Sequence, residues 1–298
     1  MDESSVNVHD FERIQVPETA IKQLPPKIHE RNIAVKTCPP IWTSVIATLI
    51  TLFTDSTVKP AQCNDNARAA IRACFHDCGT WNTSLGSKYG CDGSLILARE
   101  AFTQADDNAL QNISNTLTAV RAQYPSIGMA DLIVVASSVA IRVCPGGPTV
   151  TTYIGRNDSS ILNPAGLLPG VNDTATSLIT LFKNKGFSTN DLAALIGAHS
   201  TARAFAQPNI QFGAPQDSTP GAWDIEYYKQ VASPPAGVYS FLADRNLAAD
   251  KTVGSPMAGF AGNKTSWNGA FASAMGRLTL LGVEGGSSLL VDCTGFLP

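Results

Sequence analysis

The run Ala67-Arg68-Ala69-Ala70-Ile71-Arg72-Ala73-Cys74-Phe75-His76-Asp77-Cys78 decides the reading of this chain. Its alanines and arginines favour a helix, and a helix sets Arg72 and His76, four residues apart, on one face and one turn from each other. A second apolar helix, Asp191-Leu-Ala-Ala-Leu-Ile-Gly-Ala-His199-Ser-Thr-Ala-Arg203, carries another histidine at its end. The other histidines, His9 and His29, fall in a polar N-terminal stretch. The globular part therefore spends its two imidazoles in apolar helices.

By default a histidine in an Ala/Leu/Ile helix is a core side chain. Arg72 changes that default, because a guanidinium buried beside a second group able to carry positive charge is costly unless the pair is used. A neutral imidazole next to a fixed guanidinium suits a reaction in which a proton leaves one atom while negative charge develops on its neighbour. Heterolysis of a peroxide O–O bond has that form.

The blocks Arg72-Ala-Cys-Phe-His76-Asp77-Cys78, Gly90-Cys-Asp92-Gly-Ser94, Ala130-Asp-Leu, Cys144-Pro-Gly-Gly-Pro148, Gly155-Arg-Asn-Asp158, Leu195-Ile-Gly-Ala-His199-Ser200 and Asp217-Ser-Thr219-Pro-Gly-Ala222-Trp-Asp224 occur in this order. In them the chain resembles the plant and fungal haem peroxidase superfamily, within it the secreted fungal branch, over roughly residues 38 to 296. The resemblance implies haem b, with His76 as distal acid/base, Arg72 as charge stabiliser and Phe75 against the porphyrin. His199 matches the iron ligand and Asp244 the carboxylate that takes its other ring proton. The family holds its distal histidine with an asparagine; Asn108 is the expected match, with Asp107 the alternative in the neighbouring register.

Two calcium ions are also implied. Asp77, Gly90, Asp92 and Ser94 match the distal site, and Ser200, Asp217, Thr219, Ala222 and Asp224 the proximal one, both all-oxygen sets suited to a hard cation. Asp217-Ser-Thr-Pro-Gly also reads as a turn, which is what converges carbonyls on an ion. The positions at which manganese-oxidising members carry three acids are Asp65, Ala69 and Phe205, and Ala194 stands where lignin-oxidising members carry a surface Trp. The implied activity is therefore generic: reduction of hydrogen peroxide with one-electron oxidation of small phenolic or aromatic donors. Gln216 replaces an aromatic that usually packs beneath the haem. The alternative is a catalytically silent, secreted, calcium-stabilised binding protein of the same fold, which would need none of Arg72, His76, His199 and Asp244.

The chain has 298 residues, 44% of them apolar, enough for a substantial core. A net charge of -3 with no basic cluster argues against nucleic acid as a partner. Seven cysteines are either a reduced set or three bridges and one free thiol. Family positions imply Cys78 with Cys91 and Cys63 with Cys144, leaving Cys38 for Cys293 and Cys74 as a small buried apolar residue. Sequons at Asn82, Asn112, Asn157, Asn172 and Asn263 fit an extracellular glycoprotein, although the chain opens without a basic n-region and apolar h-region.

Residues 1–37 lie outside the resemblance and read as a polar extension, disordered or processed. The apolar run Ile41 to Phe53 is too short to span a bilayer, and its spacing predicts an amphipathic helix. Further helices are predicted near 64–77, 110–123, 129–142, 174–185, 189–202, 224–231 and 266–281, with short strands near Val150–Ile154 and Ser288–Asp292. The expected architecture is mainly α: a distal lobe over about 38–165, a proximal lobe over 166–298, and haem between them. No membrane contact is expected, and a monomer is.

Overall fold

Helix α1 (Ile41–Phe53) buries Trp42, Val45, Ile46, Leu49 and Phe53, the stripe that its sequence spacing requires. It belongs to a computed structural model that describes residues 37–205 and 210–298, so the polar extension, Thr37 apart, lies outside the described residues. Helix α2 (Asp65–Cys78) starts at Asn64, whose side chain accepts from the N–H groups of Asn66 and Ala67 and so satisfies two orphan donors of the first turn. After the short helices α3 (Ser94–Leu97) and α4 (Glu100–Thr103) come α5 (Gln111–Gln123) and α6 (Met129–Val143). Every residue from Met129 to Ile141 is buried. Helix α6 is thus the post on which α1 and α2 pack, which fixes the carrier of Arg72 and His76.

The second half holds α7 (Ala175–Asn184), α8 (Thr189–Ile196), α9 (Glu226–Gln230), α10 (Leu242–Ala249), α11 (Lys251–Gly262) and α12 (Lys264–Leu278). Helix α8 opens with a reciprocal capping box between Ser188 and Asp191 and packs on α11 and α12. Its α-helical part ends at Ile196, short of the predicted 202, and Gly197–Thr201 tightens into a 3-10 turn that holds His199. Close packing accompanies the change: a Cβ on Gly197 would lie 2.2 Å from the Tyr228 hydroxyl and 2.5 Å from Trp267 Nε1.

Three two-residue antiparallel pairs are described: β1 (Thr54–Asp55) with β2 (Gln62–Cys63), β3 (Tyr153–Ile154) with β6 (Val291–Asp292), and β4 (Arg203–Ala204) with β5 (Ala214–Pro215). The two expected strands are thus each other's partners. The disulfides are Cys38–Cys293, Cys63–Cys144 and Cys78–Cys91, with Cys74 free and buried, as the family positions imply. Helices α10 and α11 were not anticipated from the sequence. Gly254 and Pro256 inside α11 mask its pattern, and both helices take their order from packing on each other and on α7 and α8.

Candidate active site

Helix periodicity brings Arg72 to His76: Arg72 Nε donates to His76 Nε2 at 3.1 Å. The other ring nitrogen, Nδ1, is 2.8 Å from Asp107 Oδ1. Because Nε2 accepts, Nδ1 carries the proton and donates it to the carboxylate. Burial and then the Arg72 charge push the His76 pKa down to about 4, against the pull of Asp107. His76 is therefore a neutral imidazole whose Nε2 lone pair is held by Arg72 Nε, and it can act as a general base once that guanidinium turns from the ring to a substrate oxygen.

The asparagine assignment is corrected here. Asn108 turns its side chain away to accept from the Ala109 N–H at 3.0 Å, and uses its backbone carbonyl to receive Arg72 Nη1 at 2.7 Å. The carbonyl of Asp106 receives Arg72 Nη2 at 3.3 Å. A 3-10 turn over Ala105–Asp107 drives Asp107 inward, 1% exposed, and leaves its Oδ2 without a hydrogen-bond partner. One residue of register decides which side chain reaches the imidazole. Phe75, beside His76, stacks on Phe182 of α7 with centroids 6.1 Å apart.

On the other side of the chain, His199 Nδ1 is 2.8 Å from Asp244 Oδ2, joining the 3-10 turn after α8 to the first turn of α10. With Nδ1 turned to that carboxylate, Nε2 faces the other way, and in the neutral ring it presents the lone pair that an iron ligand needs. The residues thus fit a haem on the terms of their own chemistry. Gln216 is buried, 2% exposed, and its Oε1 has no partner.

Next to His76, Asp77 aims both carboxylate oxygens at the start of α3, accepting from Gly93 N at 3.0 Å and Leu95 N at 3.1 Å. Burial and then the Asp92 charge hold its pKa well above the usual carboxylate range. Asp92 accepts from Ser94 N at 3.1 Å, and the buried Ser94 hydroxyl has no partner. The Gly90 carbonyl and the Asp77 carbonyl both lie 3.4 Å from Asn163 Nδ2. Glu100, buried in the same cluster and absent from the sequence reading, is raised by burial to about 7. Its sequence signal is weak, an acid after Arg99 and before Ala101-Phe102 at the start of a short helix.

Next to His199, Ser200 Oγ lies 3.4 Å from the Ala222 carbonyl and 3.3 Å from Asp224 N. Asp217 accepts from Thr219 N at 2.9 Å with one oxygen and leaves the buried other oxygen unpartnered. Its pKa is pushed up to about 7, by burial first and with a contribution from the Asp224 charge. Both clusters combine under-compensated negative charge with orphaned oxygens, which fits a hard cation. Among the described residues no three His, Cys, Asp or Glu side chains converge as a metal cluster. At the manganese positions, Asp65 instead pairs with Arg68 at 2.6 Å and Arg203 at 3.4 Å.

Comparison with known proteins agrees with this arrangement: a family model described as peroxidase matches residues 46–263. The chain belongs to the peroxidase family. A versatile peroxidase of Pleurotus eryngii is 28% identical over 266 residues, 80% of this chain and 70% of the relative. A peroxidase of Arthromyces ramosus is 26% identical over 282 residues, covering 87% and 75%, and a ligninase of Phanerodontia chrysosporium 29% over 263 residues, covering 80% and 70%. Together these put the protein in the plant and fungal haem peroxidase superfamily and make it an oxidoreductase acting on hydrogen peroxide. No described helix of the peroxidase is long and apolar enough to cross a membrane.

Proposed function

We propose that this peroxidase binds haem b between a distal lobe, about residues 38–165, and a proximal lobe, about 166–298, and oxidises small phenolic or aromatic donors in one-electron steps. The observation that carries the reading is the opposite use of two imidazoles. His199 donates a hydrogen bond from Nδ1 to Asp244, which turns its Nε2 to the iron side; His76 sets its Nε2 beside Arg72, on the peroxide side. When bound, the haem supplies the site at which peroxide is reduced and the oxidising equivalents are held.

The chain's own groups do the rest. His76 Nε2 takes a proton from the inner peroxide oxygen and returns it to the outer one as the O–O bond breaks, while the Arg72 guanidinium offsets the negative charge on the departing oxygen. Asp107 holds the ring in the tautomer that this requires. Phe75, stacked on Phe182, would pack against the porphyrin. Calcium held by Asp77, Gly90, Asp92 and Ser94, and by Ser200, Asp217, Thr219, Ala222 and Asp224, would clamp the segments that carry His76 and His199. The sequons and three disulfides support an extracellular protein, and we take it as a monomer.

The test is a stopped-flow spectrum of haem-reconstituted protein mixed with one equivalent of hydrogen peroxide in calcium buffer. A Soret band that loses intensity and recovers on addition of a phenol is the expected result. A protein that binds no haem, or whose haem ignores peroxide, would point to the binding-protein reading.

A further inference from the structure

Behind His199 the rings continue. The imidazole meets Tyr227 edge-on at 5.7 Å between centroids; Tyr227 meets Tyr228 at 5.3 Å; Tyr228 meets Trp267 at 5.5 Å. Trp267 then lies flat on Trp223, centroids 4.9 Å apart and planes within 2° of parallel. All four side chains are buried, none more than 7% exposed. A second branch leaves His199 through Phe241, 5.8 Å away, to Tyr239, but a phenylalanine ring is far harder to oxidise than phenol or indole.

We propose that the stacked Trp223/Trp267 pair is an internal resting place for an oxidising equivalent, reached from the haem pocket through Tyr227 and Tyr228. The inference rests on the haem peroxidase reading above. Electron transfer weakens steeply with distance, so short steps between rings in contact outrun one long step through aliphatic core. The two tyrosines are bridges rather than resting places. A phenol holds a radical well only after its proton leaves, and the Tyr228 hydroxyl donates to the Ala193 carbonyl at 2.7 Å, an acceptor too weakly basic to take that proton. The Tyr227 hydroxyl is buried beside the Asp244 carboxylate, whose charge is already committed to the His199 ring at 2.8 Å.

The indoles differ. An indole can lose an electron and remain a cation with its N–H in place. Trp267 Nε1 donates to the Ala194 carbonyl at 3.0 Å and Trp223 Nε1 to Asn268 Oδ1 at 3.0 Å, dipoles that stabilise positive charge on the rings. Parallel stacking lets both rings share that charge. Gly197 makes the approach possible, since any Cβ there would strike Tyr228 and Trp267. Ala194, the position at which a surface tryptophan is missing, is the residue whose carbonyl anchors this buried one.

The balance is simple. Reduction of one peroxide leaves two oxidising equivalents in the pocket; one electron passes from the indole pair through the tyrosine rings to the pocket, leaving an indole radical cation and one remaining equivalent. A diffusible phenol later returns the electron, becoming a phenoxyl radical and releasing its proton to water. Because no ring of the path reaches solvent, its role is to drain the pocket when donors are scarce rather than to oxidise bulky substrates at the surface.

The test is freeze-quench electron paramagnetic resonance of haem-loaded, full-length protein with one equivalent of hydrogen peroxide and no reductant, comparing wild type with Trp223→Phe, Trp267→Phe and Trp81→Phe. Optical spectra of the same samples report whether peroxide has reacted. A tryptophanyl signal in wild type and Trp81→Phe, reduced at least tenfold in either member of the pair, is expected. Mass spectrometry of wild type after excess peroxide should find added oxygen on Trp223 or Trp267. Equal signals in all four proteins, or oxidation confined to Trp42 or Trp81, would overturn the proposal while leaving peroxide activation intact. Optical spectra unmoved by peroxide would overturn the haem peroxidase reading and this proposal with it.

Discussion

Asp107 holds His76 by a 2.8 Å hydrogen bond from the ring Nδ1 to a carboxylate that is 1% exposed. The family resemblance implies an amide at that place. A carboxylate accepts the same proton but also carries charge, so it stabilises the ring at the moment His76 holds the peroxide's proton. The same device recurs at His199 with Asp244. Both imidazoles thus point Nδ1 at a buried carboxylate and set Nε2 on the opposite side of the ring.

Truncating Asp107 separates orientation from charge. Asp107→Ala should slow the bimolecular reaction with peroxide by about 10- to 100-fold, the usual cost of losing a group that orients a functional histidine. Asp107→Asn keeps an acceptor and should lose less. Stopped-flow rates at equal haem content decide it; an alanine variant as fast as wild type would remove Asp107 from the mechanism. His76→Ala should cost more, about 10²- to 10⁴-fold, because the base itself is gone.

The depressed His76 pKa has a stability consequence of defined sign. The ring has a pKa of about 4 in the fold against an ordinary value of 6.5, so between those values the unfolded chain binds more protons. This group's contribution is therefore complete above 6.5 and is lost as the pH falls toward 4. Urea unfolding of wild type and His76→Gln at several pH values should show a shallower slope in the variant across that window.

Calcium should reverse the pH behaviour of the proximal cluster. With no cation, burial raises the Asp217 carboxyl from 3.8 to about 7, so the fold binds the extra proton and loses stability as the pH rises through that range. Saturating calcium should abolish the loss. Thermal unfolding with chelator and with excess calcium at pH 5 and pH 7 gives the comparison; a calcium effect no larger at pH 7 than at pH 5 would contradict the assignment.

Lys185 ties α7 to the end of α2. Its ammonium, on a residue 3% exposed, donates to the Gly79 carbonyl at 2.6 Å and the Trp81 carbonyl at 2.8 Å. Lys185→Met keeps the volume and strands those acceptors, which should cost about 1–3 kcal/mol in denaturant unfolding. A larger fraction of the loss should appear as faster release of haem, because Gly79 follows the His76 turn by only a few residues.

Cys74 serves as the internal control. Its thiol is fully buried and pushed up to about 12, chiefly by burial, so native protein should resist iodoacetamide at pH 8 and become reactive only on unfolding.

Local periodicity alone settled much of this protein. Residues four apart on a helix must share a face, so Arg72 and His76 were neighbours before any tertiary contact was considered. The apolar stripe of α1 followed from the same rule. What only the tertiary structure decided are partnerships across long sequence separations that neither periodicity nor the family motifs named: Glu100 in the Asp77 cluster and the ring path from Tyr227 to Trp223. Sequence spacing carries no information on such contacts, because they form when separate helices pack. The Asp107 contact shows the limit most sharply. Asp106, Asp107 and Asn108 are near-equivalent in composition, and a single tight turn, fixed by the packing around it, chose which one faces the imidazole.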